Sequence, residues 1–232
     1  MILRTSLLAL ALFSFGCGKS EAEARGEPIE TAPSASVAVQ AAPTPSPKAE
    51  GAELLPLAVG QWTRHSVRRA DGTSSEMSYK VVGTEGDAFW IEIESGAPGS
   101  GTVISLLITL KDRKDPASSD ILAARMKLPG QEMREVRGDS LNSTKDAYKK
   151  NMAQMFVPGL AGMPQEDVTV PAGTFKGCYR RSEKTDVGDV HSETTLWTHP
   201  SVPITGLVRS KAKDGTGLEL IAFGLTGAKS SL

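Results

Sequence analysis

Cys178 lies in the run Phe175-Lys176-Gly177-Cys178-Tyr179-Arg180, where a regular strand would set Lys176 and Arg180 on the face of the thiol. Flanking cations are what lower a thiol's pKa enough to make it a nucleophile. Cysteine is also among the residues most often buried as a small hydrophobe, and with no base in the run the structural role is the favoured reading. His191 and Glu193 share a strand face and are metal-ligand types, but a metal site needs three or four convergent ligands, and nothing nearby supplies them. With His65 and His199 they read as surface residues. Ser210-Lys211-Ala212-Lys213 has the nucleophile-and-base outline Ser-x-x-Lys, yet it falls in a strand pattern without companion motifs. Gly224 to Ser230 ends in Lys-Ser like a phosphate-binding loop, with the wrong spacing. No catalytic set and no metal site assembles from these residues, no cofactor is implied, and the chain reads as a non-enzyme.

The elements that would position such residues are strands. From Val168 to Gly224 apolar alternation and turn signals succeed one another: Val168 to Val170, Thr174 to Arg181, His191 to Thr198, Thr205 to Lys213 and Leu218 to Leu225 are separated by Ala-Gly, Val-Gly-Asp, Pro-Ser-Val-Pro and Asp-Gly. An earlier block has the same character. Leu54 to Ala70 leads into Asp71-Gly72, a pair suited to a tight hairpin, and Met77 to Val82 returns. Phe89, Ile91 and Ile93 share one face while Glu92 and Glu94 point away, which predicts a sheet with one wet side. Thr102 to Leu110 differs, because Val103 and Leu107 make its second face apolar too, as in a strand covered on both sides. Ile121 to Leu128 and Met133 to Arg137 complete the block. Asp71-Gly72-Thr73 and Asp214-Gly215-Thr216 are alike, through internal duplication or, as steric preference favours, through convergence of two hairpin turns.

Between the blocks the spacing predicts one helix over Ser143 to Val157. Ser143 to Asp146 has the outline of a capping box, Tyr148, Met152, Met155 and Phe156 repeat at helical intervals, and Pro158-Gly159 ends the run. That stripe needs a surface to bury against, and the concave face of a twisted sheet supplies one. Methionine is soft and suits varied apolar partners, so Tyr148, Met152, Met155 and Phe156 are also the candidates to line a ligand hollow.

The two ends of the chain differ from its middle. With 26 basic and 27 acidic residues there is no charge imbalance to attract nucleic acid or an anionic surface. Arg4 precedes an apolar run from Leu7 to Phe15, too short to span a bilayer and suited to a secretory signal over residues 1–16. Ser14-Phe15-Gly16-Cys17 resembles the lipobox of bacterial lipoproteins, which implies a lipid on Cys17. The rival is cleavage after Ala22-Glu23-Ala24, which would discard Cys17. Residues 17–52, rich in Pro, Ala and Ser, read as a tether that cannot offset the entropy of ordering it. Residues 53–232 then form a single β-rich domain. By resemblance to lipoprotein sorting, Gly18 in place of Asp implies the outer membrane.

Val170-Pro171-Ala172-Gly173-Thr174-Phe175, then Trp197, Pro200 and Pro203, then Gly206-Leu207-Val208-Arg209 resemble a motif of exported bacterial proteins of the TapB-like type, over about 60 residues. Gly177 before Cys178 and Thr198-His199 after Trp197 depart from it. Those proteins are similar to the LolA and LolB superfamily. The resemblance implies a mainly β (α+β) fold, a curved antiparallel sheet or half-barrel with one main helix packed on its concave face. Function does not carry over with the fold, because one shell hosts many tasks. The curved sheet taken together with the Met-rich stripe leads to the expectation of a non-enzymatic envelope lipoprotein, membrane-anchored, that binds an apolar small molecule, a lipid or a lipoprotein. The alternative is an envelope scaffold working through protein contacts, with no cavity.

Overall fold

Alternation with period two becomes paired strands along most of the chain. The computed structural model describes residues 53–97, 99–112, 115, 118–145, 148, 159–187 and 190–232. Cys17, the expected signal and tether, and Met152, Met155 and Phe156 of the expected stripe lie outside the described residues. The strands are β1 (Trp62–Arg68), β2 (Ser74–Glu85), β3 (Ala88–Ser95), β4 (Thr102–Leu110), β5 (Ser119–Lys127), β6 (Arg134–Val136), β7 (Gln165–Val170), β8 (Gly173–Val187), β9 (Val190–Thr198), β10 (Leu207–Ala212) and β11 (Gly217–Gly224).

They form one open antiparallel sheet in the order β6-β5-β4-β3-β2-β1-β11-β10-β9-β8-β7. Two meanders of consecutive hairpins, β1 to β6 and β7 to β11, meet where β1 pairs with β11. Arg68 stands opposite Gly217, so the two Asp-Gly turns are neighbours at one end of the sheet. In each, the Asp carboxylate accepts from the amide and hydroxyl of the Thr two residues on, and Gly72 and Gly215 take positive φ. The two turns are thus held by the same local hydrogen bonds. Bulges interrupt the register between Arg64 and His65, Val81 and Gly83, Leu107 and Ile108, and Glu166 and Val168. A bulge bends its strand and adds twist, which is how an open sheet of this width curves.

Register divides the sheet into two faces. The inner face carries Tyr79, Ile91, Ile93, Ile104 and Leu106 from β2 to β4, and it continues through Thr63 and His65 of β1 to Phe223 and Leu220 of β11. Two apolar clusters pack against the sheet. Ile91, Leu106, Ile108, Ile121 and Ala124 form one, and Val168, Val170, Phe175, Cys178, Val208 and Leu220 belong to the other. Burying an aliphatic side chain fully stabilises by about 1.5–3 kcal/mol, so these clusters dominate the fold's energetics. A smaller cluster joins Leu160 and Tyr179 to Leu54 and Met163.

The helical turns run over 139–145 and include 148, one turn earlier than the Ser143 capping box predicts. Leu141 and Asn142 donate to Gly138 O, and Thr144 Oγ1 bonds back to Ser140 O at 2.7 Å, so this hydroxyl is spent inside the helix. Leu141 and Tyr148 pack against the first cluster.

The outer face corrects a second expectation. Glu92 and Glu94, expected on a wet side, are 1% and 2% exposed. Residues 225–232 lie over them. Trp62 Nε1 donates to Thr226 O at 3.2 Å and Ala228 N to Gly60 O at 2.8 Å, which starts the segment across the sheet. Ser230 Oγ and Ser231 N then donate to Glu92, and Lys127 Nζ reaches Ser231 O at 2.9 Å. Lys80 Nζ bridges Glu94 Oε2 (2.7 Å) and Ser231 Oγ (2.6 Å). β4 is buried on both faces, Val103 and Leu107 included, as its sequence predicts.

Candidate functional site

The residues with chemistry-bearing side chains gather on the inner face along β1. Period two sets Gln61, Thr63, His65 and Val67 on one side of the backbone, and the pairing with β2 adds Tyr79 beside Thr63 and Met77 beside His65. This column separates the two apolar clusters. Gln61, Thr63 and His65 are 5%, 0% and 0% exposed, so the expectation of a surface histidine is wrong for His65. The alternation Thr63-Arg64-His65-Ser66-Val67 puts His65 in phase with Val67, a signal that a lone polar residue in a mixed strand conceals.

His65 Nε2 lies 3.1 Å from Leu207 O, and the ring stands edge-on to Tyr79 with centroids 6.0 Å apart. A carbonyl can only accept, so the proton sits on Nε2 and Nδ1 presents a lone pair. Burial drives the His65 pKa down from 6.5 to about 4, with the bond to Leu207 opposing it, so the ring is neutral near pH 7. Tyr79 is pushed up to about 12, by burial first and by Tyr148 second, and burial raises Tyr148 as well. The Tyr79 hydroxyl donates to Met77 Sδ at 3.1 Å. These groups are uncharged at neutral pH, as a partly apolar face requires.

Leu207 is held by the loop before it. Ile204 takes φ 64°, a conformation a β-branched residue rarely adopts, and is kept there with Val202 and Thr205 buried around it. Gly206 follows at φ 70°, where a Cβ would meet Leu54 Cδ2 at 2.4 Å and Thr198 Cγ2 at 2.7 Å. Leu54 lies on the small cluster and Leu57 on the first, and Pro56 O between them accepts from Gln61 Nε2 at 2.9 Å. The segment leading into β1 therefore closes over the column.

The other sequence candidates do not converge on this place. Cys178 is fully buried, and its thiol is pushed up to about 12 by burial and then by Asp167 and Glu166. We therefore expect iodoacetamide near pH 8 to leave Cys178 unmodified in the folded protein and to label it fully in urea, by peptide mapping; rapid labelling without urea would contradict the burial. Ser210 is buried and accepts from Leu218 N, whereas Lys213 is exposed and pairs with Glu193 at 2.7 Å, so the Ser-x-x-Lys outline brings nothing together. His199 accepts from Ser201 N at 3.2 Å through Nδ1, and its ring touches Phe175 edgewise. The Gly224 to Ser230 run belongs to the segment over the outer face. Among the described residues, no group of three or more His, Cys, Asp or Glu could hold a metal ion, and no helix is long and apolar enough to cross a membrane.

These features define a mainly β protein built on one open, curved, eleven-stranded antiparallel sheet. No known family and no curated protein matches the chain. Among solved structures it is similar to a Bacteroides fragilis protein inferred to be exported and described as having a YmcC-like fold. Identity is 12%, the TM-score is 0.33, and the match covers 75% of this chain and 99% of that one.

Proposed function

We propose that this is a non-enzymatic envelope lipoprotein, exported and anchored through lipid on Cys17, that holds an apolar ligand between the inner face of its sheet and the helix beginning at 139. A LolA-like half-barrel is the architecture this reading carries. The observation behind it is that one continuous core does not fill the inner face. Two apolar clusters flank a polar column, and helix residues Leu141 and Tyr148 lie against one of them. Tyr148 heads the stripe that Met152, Met155 and Phe156 continue in sequence, so a ligand would meet soft, adaptable side chains from the helix and aliphatic ones from the sheet. The short apolar run from Leu7 to Phe15, just before Cys17, supports export and anchoring, and Gly18 supports the outer membrane.

Native mass spectrometry of the protein purified from its own envelope, with titration of the apolar dye N-phenyl-1-naphthylamine, tests the reading. A co-purifying mass of lipid size and saturable dye fluorescence are expected. A clean ligand-free mass together with no dye binding would sink it.

The second reading is a scaffold. The outer face of β7 to β11 carries the pairs Arg180–Glu166 (3.8 Å), Arg209–Glu219 (3.0 Å) and Lys213–Glu193 (2.7 Å), all partly exposed and suited to a charged protein partner.

A further inference from the structure

Three atoms on the inner face share one chemical character. Pro56 O can only accept, so Gln61 turns its amide nitrogen there and leaves Oε1 buried without a partner. Leu207 O fixes the His65 proton on Nε2 and leaves the Nδ1 lone pair buried without a partner. Thr63 Oγ1, between them on the same column, is likewise buried and unpartnered. Two of the three can only accept, and the third accepts or donates. Buried polar atoms are nearly always hydrogen-bonded, so three in one column that lack a donor mark a place built to receive one.

We infer that Gln61, Thr63 and His65 form a head-group site for a neutral lipid whose head carries hydroxyl or amide N–H donors, a monoacylglycerol being the simplest of that class. This rests on the apolar-ligand reading above and names the chemistry that would orient the ligand. A diol head gives one proton to His65 Nδ1 and one to Gln61 Oε1, and the Thr63 hydroxyl gives its own proton to an oxygen of the head. A methyl ester carries acceptors alone and satisfies at most the Thr63 hydroxyl. A carboxylate adds negative charge opposite two lone pairs, and the inner-face cation Arg181 is already engaged by Glu183 at 2.9 Å. The apolar clusters on either side accommodate the acyl chain without regard to its head.

The test is displacement of N-phenyl-1-naphthylamine from the mature protein by three ligands of equal chain length: monolauroylglycerol, methyl laurate and laurate. Monolauroylglycerol is expected to displace the dye at a concentration about tenfold or more below either of the others, since a site made to hydrogen-bond a hydroxyl discriminates against analogues that lack it. Thr63→Val and Gln61→Leu should each narrow that gap several-fold. In histidine-labelled protein the His65 Nδ1 resonance should move with monolauroylglycerol and stay with methyl laurate, a readout that needs no variant to fold. If methyl laurate competes equally well, or if the preference survives both substitutions with Nδ1 unmoved, the head-group site is wrong while apolar binding stands. If neither dye nor lipid binds, both fall together.

Discussion

Lowering the pH from about 7 to about 4 is expected to cost the fold about 3 kcal/mol through His65 alone. The unfolded chain takes up a proton on this ring near 6.5, whereas burial holds the folded ring neutral until about 4. Across that interval the unfolded state binds more protons, so stability rises with pH. The contribution is complete above 6.5, falls steadily below it, and is flat again under about 4, where both states are protonated. At about 1.4 kcal/mol per pH unit the interval gives the figure quoted. Urea unfolding of the wild type and of His65→Leu at several pH values reads it directly. The variant should lose the slope and carry in its place a pH-independent penalty of about 1 kcal/mol, from the unpaired Leu207 carbonyl. Parallel slopes for the two proteins would mean that the ring reaches water.

Glu94→Ala is expected to cost about 3 kcal/mol, the scale for breaking a largely buried ion pair. The substitution strips Lys80 of its carboxylate at 2.7 Å and the Gly99 amide of its acceptor at 2.6 Å, beneath a segment that limits hydration. Replacing both partners, as Lys80→Met with Glu94→Leu, should recover most of the loss, because the cost lies in the stranded charge and not in the missing attraction. If Glu94→Ala costs under about 1 kcal/mol, the pair behaves as an exposed one and residues 225–232 do not cover it. Desolvation raises the Glu94 pKa, but the hydrogen bonds from Lys80, Gly99 and Ser231 and the Lys80 charge outweigh it, and the carboxyl ends below 4.5. Its contribution is therefore present above the ordinary carboxylate range and disappears as the pH falls through the lowered value, a window below that of His65.

Strand existence was legible where short-range rules apply. Ile91 and Ile93 against Glu92, the double-sided apolar run of β4, and the Asp-Gly turns after Ala70 and Lys213 each report local backbone geometry. Boundaries were less so: the run from Leu54 to Ala70 is a strand only over Trp62–Arg68, and Thr174 to Arg181 is only the first half of β8. The helix starts before the Ser143 capping box, since Leu141 N and Asn142 N already donate to Gly138 O and the Thr144 hydroxyl bonds back to Ser140 O.

The sequence alone determined that the chain alternates into hairpins, that β4 is covered on both faces, and that a helical segment divides two strand blocks, because these depend on neighbours a few residues away. Only the tertiary structure decided which polar residues are inside. Pairing of β1 with β11 joins residues more than 140 positions apart in sequence, and it sets His65 beneath Leu207 and Thr63 beside Phe223. The return of residues 225–232 over β2 to β5 turned Glu92 and Glu94 from solvated carboxylates into buried ones. A polar side chain carries no local mark of its burial, since what satisfies it arrives from a distant part of the chain.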